Sequence, residues 1–166
     1  MKIDPQDKAI QHIILLENMD DDSRKRIYED AEKEYGSPWS LKLRDFFALM
    51  ENDLSYLGID KLYNTTVRQY AWIMDYRECA ERVGELLKAF VVPQSPEAQR
   101  ASQKCIKMSS KEAVMVFVRK YFNLPSFDAA MDIPLSDFIV AKKNEFNNSI
   151  FQYTMMQIQK QNFKKK

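Results

Sequence analysis

One histidine and two groups of acids are the side chains of this sequence that could perform acid–base or metal chemistry. His12 is the only histidine, and an imidazole titrates near neutral pH, so it can act as a general base. A general base also needs a nucleophile or an acidic partner, and the neighbours of His12 in sequence are Gln11 and Ile13. We therefore expect His12 to be a structural or an exposed side chain, not a catalytic one.

The two acidic groups do not have the spacing of known metal sites. The first, Asp20, Asp21 and Asp22, is followed by Arg24 and Lys25, whereas a calcium loop needs alternating oxygen ligands, a glycine and a closing glutamate. Carboxylate sites in helical bundles pair a Glu with a His three residues later, and no His accompanies the second group, which is Asp75, Glu78, Glu81 and Glu85. We expect the first group to begin a helix, the second to form a solvated helix face, and the chain to hold neither metal nor cofactor.

Composition excludes several other classes of function. The two cysteines, Cys79 and Cys105, are too few for a disulfide framework. The three glycines leave no glycine-rich phosphate loop. Lys and Arg number 25 against 24 Asp and Glu, a net charge of +1, which argues against a surface built throughout for nucleic acid. We expect a protein that is not an enzyme and that stays in the cytoplasm, since no secretory signal or membrane span is visible.

Two amphipathic stretches must position whatever surface this protein uses. In residues 66–92, apolar side chains recur every three or four positions, with charged residues on the opposite side, which predicts a central helix. Residues 41–57, with Ser40 as the N-cap, predict a second core helix that ends at Gly58. The fold class is therefore expected to be all-α, a single domain over residues 1–166 with six or seven helices. A subdomain boundary near residues 92–96, where Pro93 and Pro96 lie, stays open as an alternative.

Capping signals place the remaining helices. One helix should begin at Asp4–Pro5 and end near Asn18, and a second should run from the first acidic group to Gly36. Ser95 caps another, and Ser109 with Glu112 matches a capping box for a helix over 111–122, where the apolar run also permits a buried strand. Residues 123–134 suit an ordered loop or one helical turn. A long helix should follow from Leu135 to about Asn162.

That last helix is the candidate for binding. Its apolar seam predicts burial against a partner helix or a second copy, and the four seam residues are Phe146, Ile150, Tyr153 and Met156. The alternative is a nucleic-acid contact through basic residues, namely Lys142, Lys143, Lys160 and Lys164. The chain has 20 Phe, Tyr and Trp residues in all, and the sequence leaves open whether all of them pack inside or some form an interface. We expect no membrane partner.

Residues 39–57, WSLKLRDFFALMENDLSYL, and residues 70–90 resemble small helical proteins from the tail-gene region of bacteriophages and prophages. The group is that of tail assembly chaperones, which hold the tape measure protein while the tail is built. The resemblance rests on chain size, an all-helical plan and the Leu-Arg-Asp-Phe-Phe opening. It implies a protein that is not an enzyme and that acts in assembly, and it assigns no functional residue.

Overall fold

The computed structural model describes residues 5–51, 66–88 and 95–165. These residues form eight α-helices and one 3-10 helix, and they contain no β-strand, so the all-α prediction is confirmed. The α-helices are α1 (Pro5–Asn18), α2 (Asp21–Tyr35), α3 (Leu43–Glu51), α4 (Val67–Lys88), α5 (Pro96–Gln103), α6 (Ser110–Tyr121), α7 (Phe127–Ala130) and α8 (Leu135–Lys164), and the 3-10 helix is Pro38–Ser40.

The chain divides into two compact units, residues 1–82 and 83–166. The division falls inside α4, after Arg82. The predicted boundary near residues 92–96 lies mostly outside the described residues, because residues 89–94 are not among them. The single-domain expectation stays a prediction.

The predicted caps are present at the helix starts. The Asp20 side chain accepts a hydrogen bond from the Ser23 backbone N–H at 2.9 Å, and Ser95 accepts one from Ala98 at 3.2 Å. Ser109 and Glu112 form the reciprocal capping box at the start of α6. Residues 111–122 are therefore helical, with the last turn ending at Tyr121, and the strand alternative is wrong. These side chains bond backbone N–H groups that have no partner within the helix.

Two boundaries differ from the prediction. Ser40 is not the N-cap of the third helix, because it lies in the 3-10 helix that Pro38 begins, and α3 starts only at Leu43. The predicted continuation of this helix to Gly58 lies outside the described residues, as do residues 89–92 of the central helix. Gly36 ends α2 as expected: it adopts a φ of +82°, which favours glycine, and its N–H donates to the Glu32 carbonyl.

The first unit has an aromatic core between α3 and α4. Tyr76 is buried, and its hydroxyl donates a 2.7 Å hydrogen bond to the carbonyl of Phe46. The ring of Tyr76 lies 5.4 Å from that of Phe46 and 5.9 Å from that of Trp72. Trp72 in turn donates its indole N–H to the Gly36 carbonyl at 2.9 Å. The predicted central helix and its predicted neighbour therefore do form a core together.

The second unit has a core of smaller aliphatic residues around one phenylalanine. Phe138, at the start of α8, is fully buried, and the ring of Phe117 on α6 meets it edge-on at 6.0 Å. The other buried side chains of this unit are Val83, Val114, Val118, Ala130, Met131, Leu135 and Ala141. The first turns of α8 are thus part of a packed core.

Candidate functional site: the C-terminal helix

Helix α8 divides into a packed beginning and a long remainder without buried side chains. It has 30 residues, so it is about 45 Å long. Its buried residues are Leu135, Phe138 and Ala141, all in the first two turns. From Lys142 onward, no side chain of this helix is buried. Most helices in proteins are stabilised by packing an apolar face, so the remainder of α8 is a surface available to a partner.

The four seam residues lie on one side of α8 but differ in exposure. Phe146 and Tyr153 are half-buried. Ile150 and Met156 are 39% and 54% exposed. At about 100° per residue, the four side chains fall within one third of the helix circumference. The seam predicted from the sequence is therefore a continuous side of the helix that is only partly covered.

A second apolar side of α8 is more exposed, and sequence reasoning missed it. Phe151, Met155 and Ile158 are 65%, 40% and 44% exposed, and they follow one another at intervals of four and three residues. We call these three residues the outer stripe. Its centre lies about 160° around the helix from that of the seam. The spacing of the outer stripe is visible in the sequence, but assigning the helix one apolar side concealed it.

Both apolar sides are bordered by amides instead of charges. From Asn144 to Gln159 the sequence has one charged side chain, Glu145. Glu145 accepts a hydrogen bond from the Nζ of Lys142 at 3.4 Å, one helical turn away. The amide of Asn144 donates to the hydroxyl of Tyr121 at 2.9 Å. The outer stripe itself carries no charge.

The four lysines of the alternative prediction are not equivalent. The Nζ of Lys142 also lies 4.5 Å from the centre of the Phe117 ring, which gives a cation–π contact. With its bond to Glu145, this ammonium is engaged within its own unit. Lys143, Lys160 and Lys164 are exposed. The structure therefore offers three of the four predicted lysines to a phosphate.

The two units carry opposite net charges in sequence. Residues 1–82 contain 12 Lys and Arg against 17 Asp and Glu, a net charge of −5. Residues 83–166 contain 13 against 7, a net charge of +6. The near-zero total thus conceals a basic second unit. This asymmetry is the observation that favours the nucleic-acid alternative.

The candidate catalytic and metal-binding residues are placed as structural ones. The ring of half-buried His12 lies 5.9 Å from that of Tyr70. Burial raises the pKa of Asp75, with smaller contributions from the charges of Glu78 and Glu32. Glu78 also pairs with Arg82 at 2.7 Å. Within residues 5–51, 66–88 and 95–165, no group of three or more His, Cys, Asp and Glu could hold a metal ion.

The two thiols lie in contrasting environments. Cys79 is buried in the first unit, and burial raises its pKa to about 12, with the charges of Asp75 and Glu78 adding to the effect. Cys105 is exposed after the end of α5. A thiolate is the reactive form of cysteine, so burial makes Cys79 inert.

At pH 8, we expect a thiol reagent such as DTNB to label one cysteine rapidly, and Cys105→Ser to abolish that labelling. Cys79 should react only after denaturant is added. Labelling of Cys79 in the native protein at the rate of Cys105 would contradict its burial. Cys79→Ser is the matched control and should leave rapid labelling unchanged.

Comparison with family models, curated proteins and solved structures finds no match in any of the three. Among the described residues, no helix is long and apolar enough to cross a membrane.

Proposed function

We propose that this protein is a non-enzymatic interaction or assembly factor, acting in the cytoplasm, that binds a partner helix through the seam residues of α8. The observation that carries the proposal is the stretch of α8 beyond Ala141, which has no buried side chain yet presents large apolar ones. Burying such a face against another helix is a common mode of protein recognition. The resemblance to tail assembly chaperones adds one specific setting, phage or prophage tail assembly.

The chemistry of the seam supports a protein partner. Tyr153 is a long aromatic side chain with a polar end, and aromatic residues and Met are enriched at interface cores. The amides around it can bond across an interface or to water. The first turns of α8 are held in the core by Phe138, which presents the remainder of the helix on a fixed base.

A photo-crosslinking amino acid at Tyr153 tests the proposal in the cell that carries the gene. We expect a covalent adduct heavier than the chain when the probe replaces Tyr153 or Met156. Tyr35, an exposed tyrosine on α2, is the control position and should give none. Adducts that form equally at Tyr35, or that are missing at both α8 positions, would contradict the proposal.

Tyr153→Ala should lower the yield of the adduct formed at Met156 by about tenfold or more, as expected for an aromatic residue at the centre of an interface. The free energy of unfolding should change by less than about 1 kcal/mol, because the side chain is not in the core. The matched control is Tyr35→Ala, which should change neither quantity. A variant that unfolds, or an unchanged adduct, would show that Tyr153 is a structural residue.

The second candidate function is nucleic-acid binding by the basic second unit, favoured by its net charge of +6. It requires an association constant that falls steeply with salt, since each phosphate that a cation neutralises releases counterions. Fluorescence anisotropy of a labelled oligonucleotide at rising salt measures this directly. Replacing Lys143, Lys160 and Lys164 with Gln should then weaken binding and reduce the salt slope by about one for each phosphate that these lysines neutralise in the wild type.

A further inference from the structure

From the outer stripe of α8 we infer that a second copy of this chain binds there, with the two α8 helices antiparallel. The stripe lies on roughly the opposite side of the helix from the seam, so the inference goes beyond the proposed function. It concerns a different set of side chains and a different partner.

The chemistry of the outer stripe selects a protein partner. A helix that lies on a lipid surface borders its apolar side with Lys and Arg, whereas Asn147, Asn148 and Thr154 border this one. A nucleic acid requires cations, and the stripe has none. Phe151, with 65% of its surface exposed, is instead the kind of rigid aromatic side chain that fills the centre of a protein interface.

Self-complementarity selects a second copy among protein partners. A two-fold interface places the same patch on both sides, so the patch must suit itself. Apolar side chains meet apolar ones in such a pair, and each bordering amide has both a donor and an acceptor for its counterpart. An uncharged patch also meets its copy without repulsion, which a patch of one sign could not.

The charges at the end of α8 select the antiparallel direction. Lys160, Lys164 and Lys165 cluster in its last turns. A parallel pair would bring the two clusters side by side, whereas an antiparallel pair places each against the other copy's stretch near Asn147, which is nearly free of charge. With the two-fold axis near Met155, Phe151 of one copy then faces Ile158 of the other.

The size of the surface predicts a weak dimer. Val140, exposed by 68%, lies three turns before Phe151 and in line with the stripe. From Val140 to Ile158 the line is about 27 Å long. One helix side of this length buries less than the roughly 800 Å² per partner of a standard interface. We therefore expect a dissociation constant on the order of micromolar, with monomer and dimer in exchange.

Sedimentation velocity from about 1 to about 200 µM, a range that spans the affinity of a small interface, tests the dimer. Wild type should shift from monomer to dimer. Phe151→Gln and Ile158→Gln should each raise the dissociation constant at least tenfold while circular dichroism stays unchanged. Val116→Gln, which replaces an exposed valine on α6, is the matched control and should not alter it. A monomer at all concentrations, or equal weakening by Val116→Gln, would overturn the inference.

Cysteine crosslinking tests the direction. In a Cys105→Ser background, Met155→Cys lies at the two-fold axis and should give a disulfide-linked dimer under mild oxidation. Asn162→Cys lies near the helix end and should give none. Crosslinking at both positions would show a parallel pair and overturn the antiparallel arrangement. A monomer that still forms the adduct at Tyr153 would overturn this inference alone and leave the proposed function standing.

Discussion

Phe138→Ala should lower the free energy of unfolding of the second unit by about 3 to 5 kcal/mol, the usual cost of emptying a buried phenylalanine site. Phe138 is fully buried beside Phe117, so the substitution removes both apolar burial and an edge-on ring contact. Urea unfolding followed by circular dichroism is the measurement, since both tryptophans, Trp39 and Trp72, lie in the first unit.

The matched control is Phe151→Ala, the same substitution on the same helix. Phe151 is 65% exposed, so its loss should change stability by less than about 0.5 kcal/mol at a concentration that favours the monomer. Comparable losses at the two positions would mean that α8 is packed along its whole length. The surface proposed for binding would then be core.

Replacement of Tyr76 should separate the energy of a buried hydroxyl from that of its ring. Tyr76→Phe removes the donor to the Phe46 carbonyl, which should cost about 1 to 2 kcal/mol. Tyr76→Ala also empties the space between Phe46 and Trp72, which should raise the total to about 3 to 5 kcal/mol. Tryptophan fluorescence during urea unfolding reports both, because Trp72 contacts the Tyr76 ring.

The same residue predicts a loss of stability in alkali. Burial raises the pKa of Tyr76 from 10.0 to about 12. Between these two pH values the unfolded chain has lost the phenolic proton that the folded chain retains, so stability falls as pH rises. Cys79 adds a loss of the same sign from about pH 9 to about pH 12. Tyr76→Phe should show a shallower decline, and Tyr35→Phe, at an exposed tyrosine, should decline like wild type.

The sequence was sufficient for the helices because their ends carry local chemistry. Asp20, Ser95 and Ser109 bond backbone N–H groups three residues later, and Gly36 supplies the positive φ after α2. Ser40 was misplaced for a reason that is also local: Pro38 initiates a 3-10 turn that contains it. A capping residue alone does not exclude a competing turn that begins earlier.

The binding surface was only half predictable. Spacing identified the seam, but it could not show that Phe146 and Tyr153 are partly covered while Phe151 is open, because coverage depends on residues distant in sequence. The contact of Lys142 with Phe117, 25 positions earlier, was likewise beyond the reach of periodicity. Apolar residues on two sides of a helix are expected for an element with two partners, and a single-seam interpretation misses one of them.

Light scattering after size exclusion tests most directly whether apolar association through α8 is what this protein does. It should compare the full chain with one that ends at Ala141, each at low and high salt. The shorter chain retains the buried residues Leu135, Phe138 and Ala141, which preserves the second unit's core. We predict a concentration-dependent oligomer of the full chain that high salt leaves intact, and a monomer for the shorter chain. An oligomer that dissociates in high salt, survives the truncation or never forms would contradict the account.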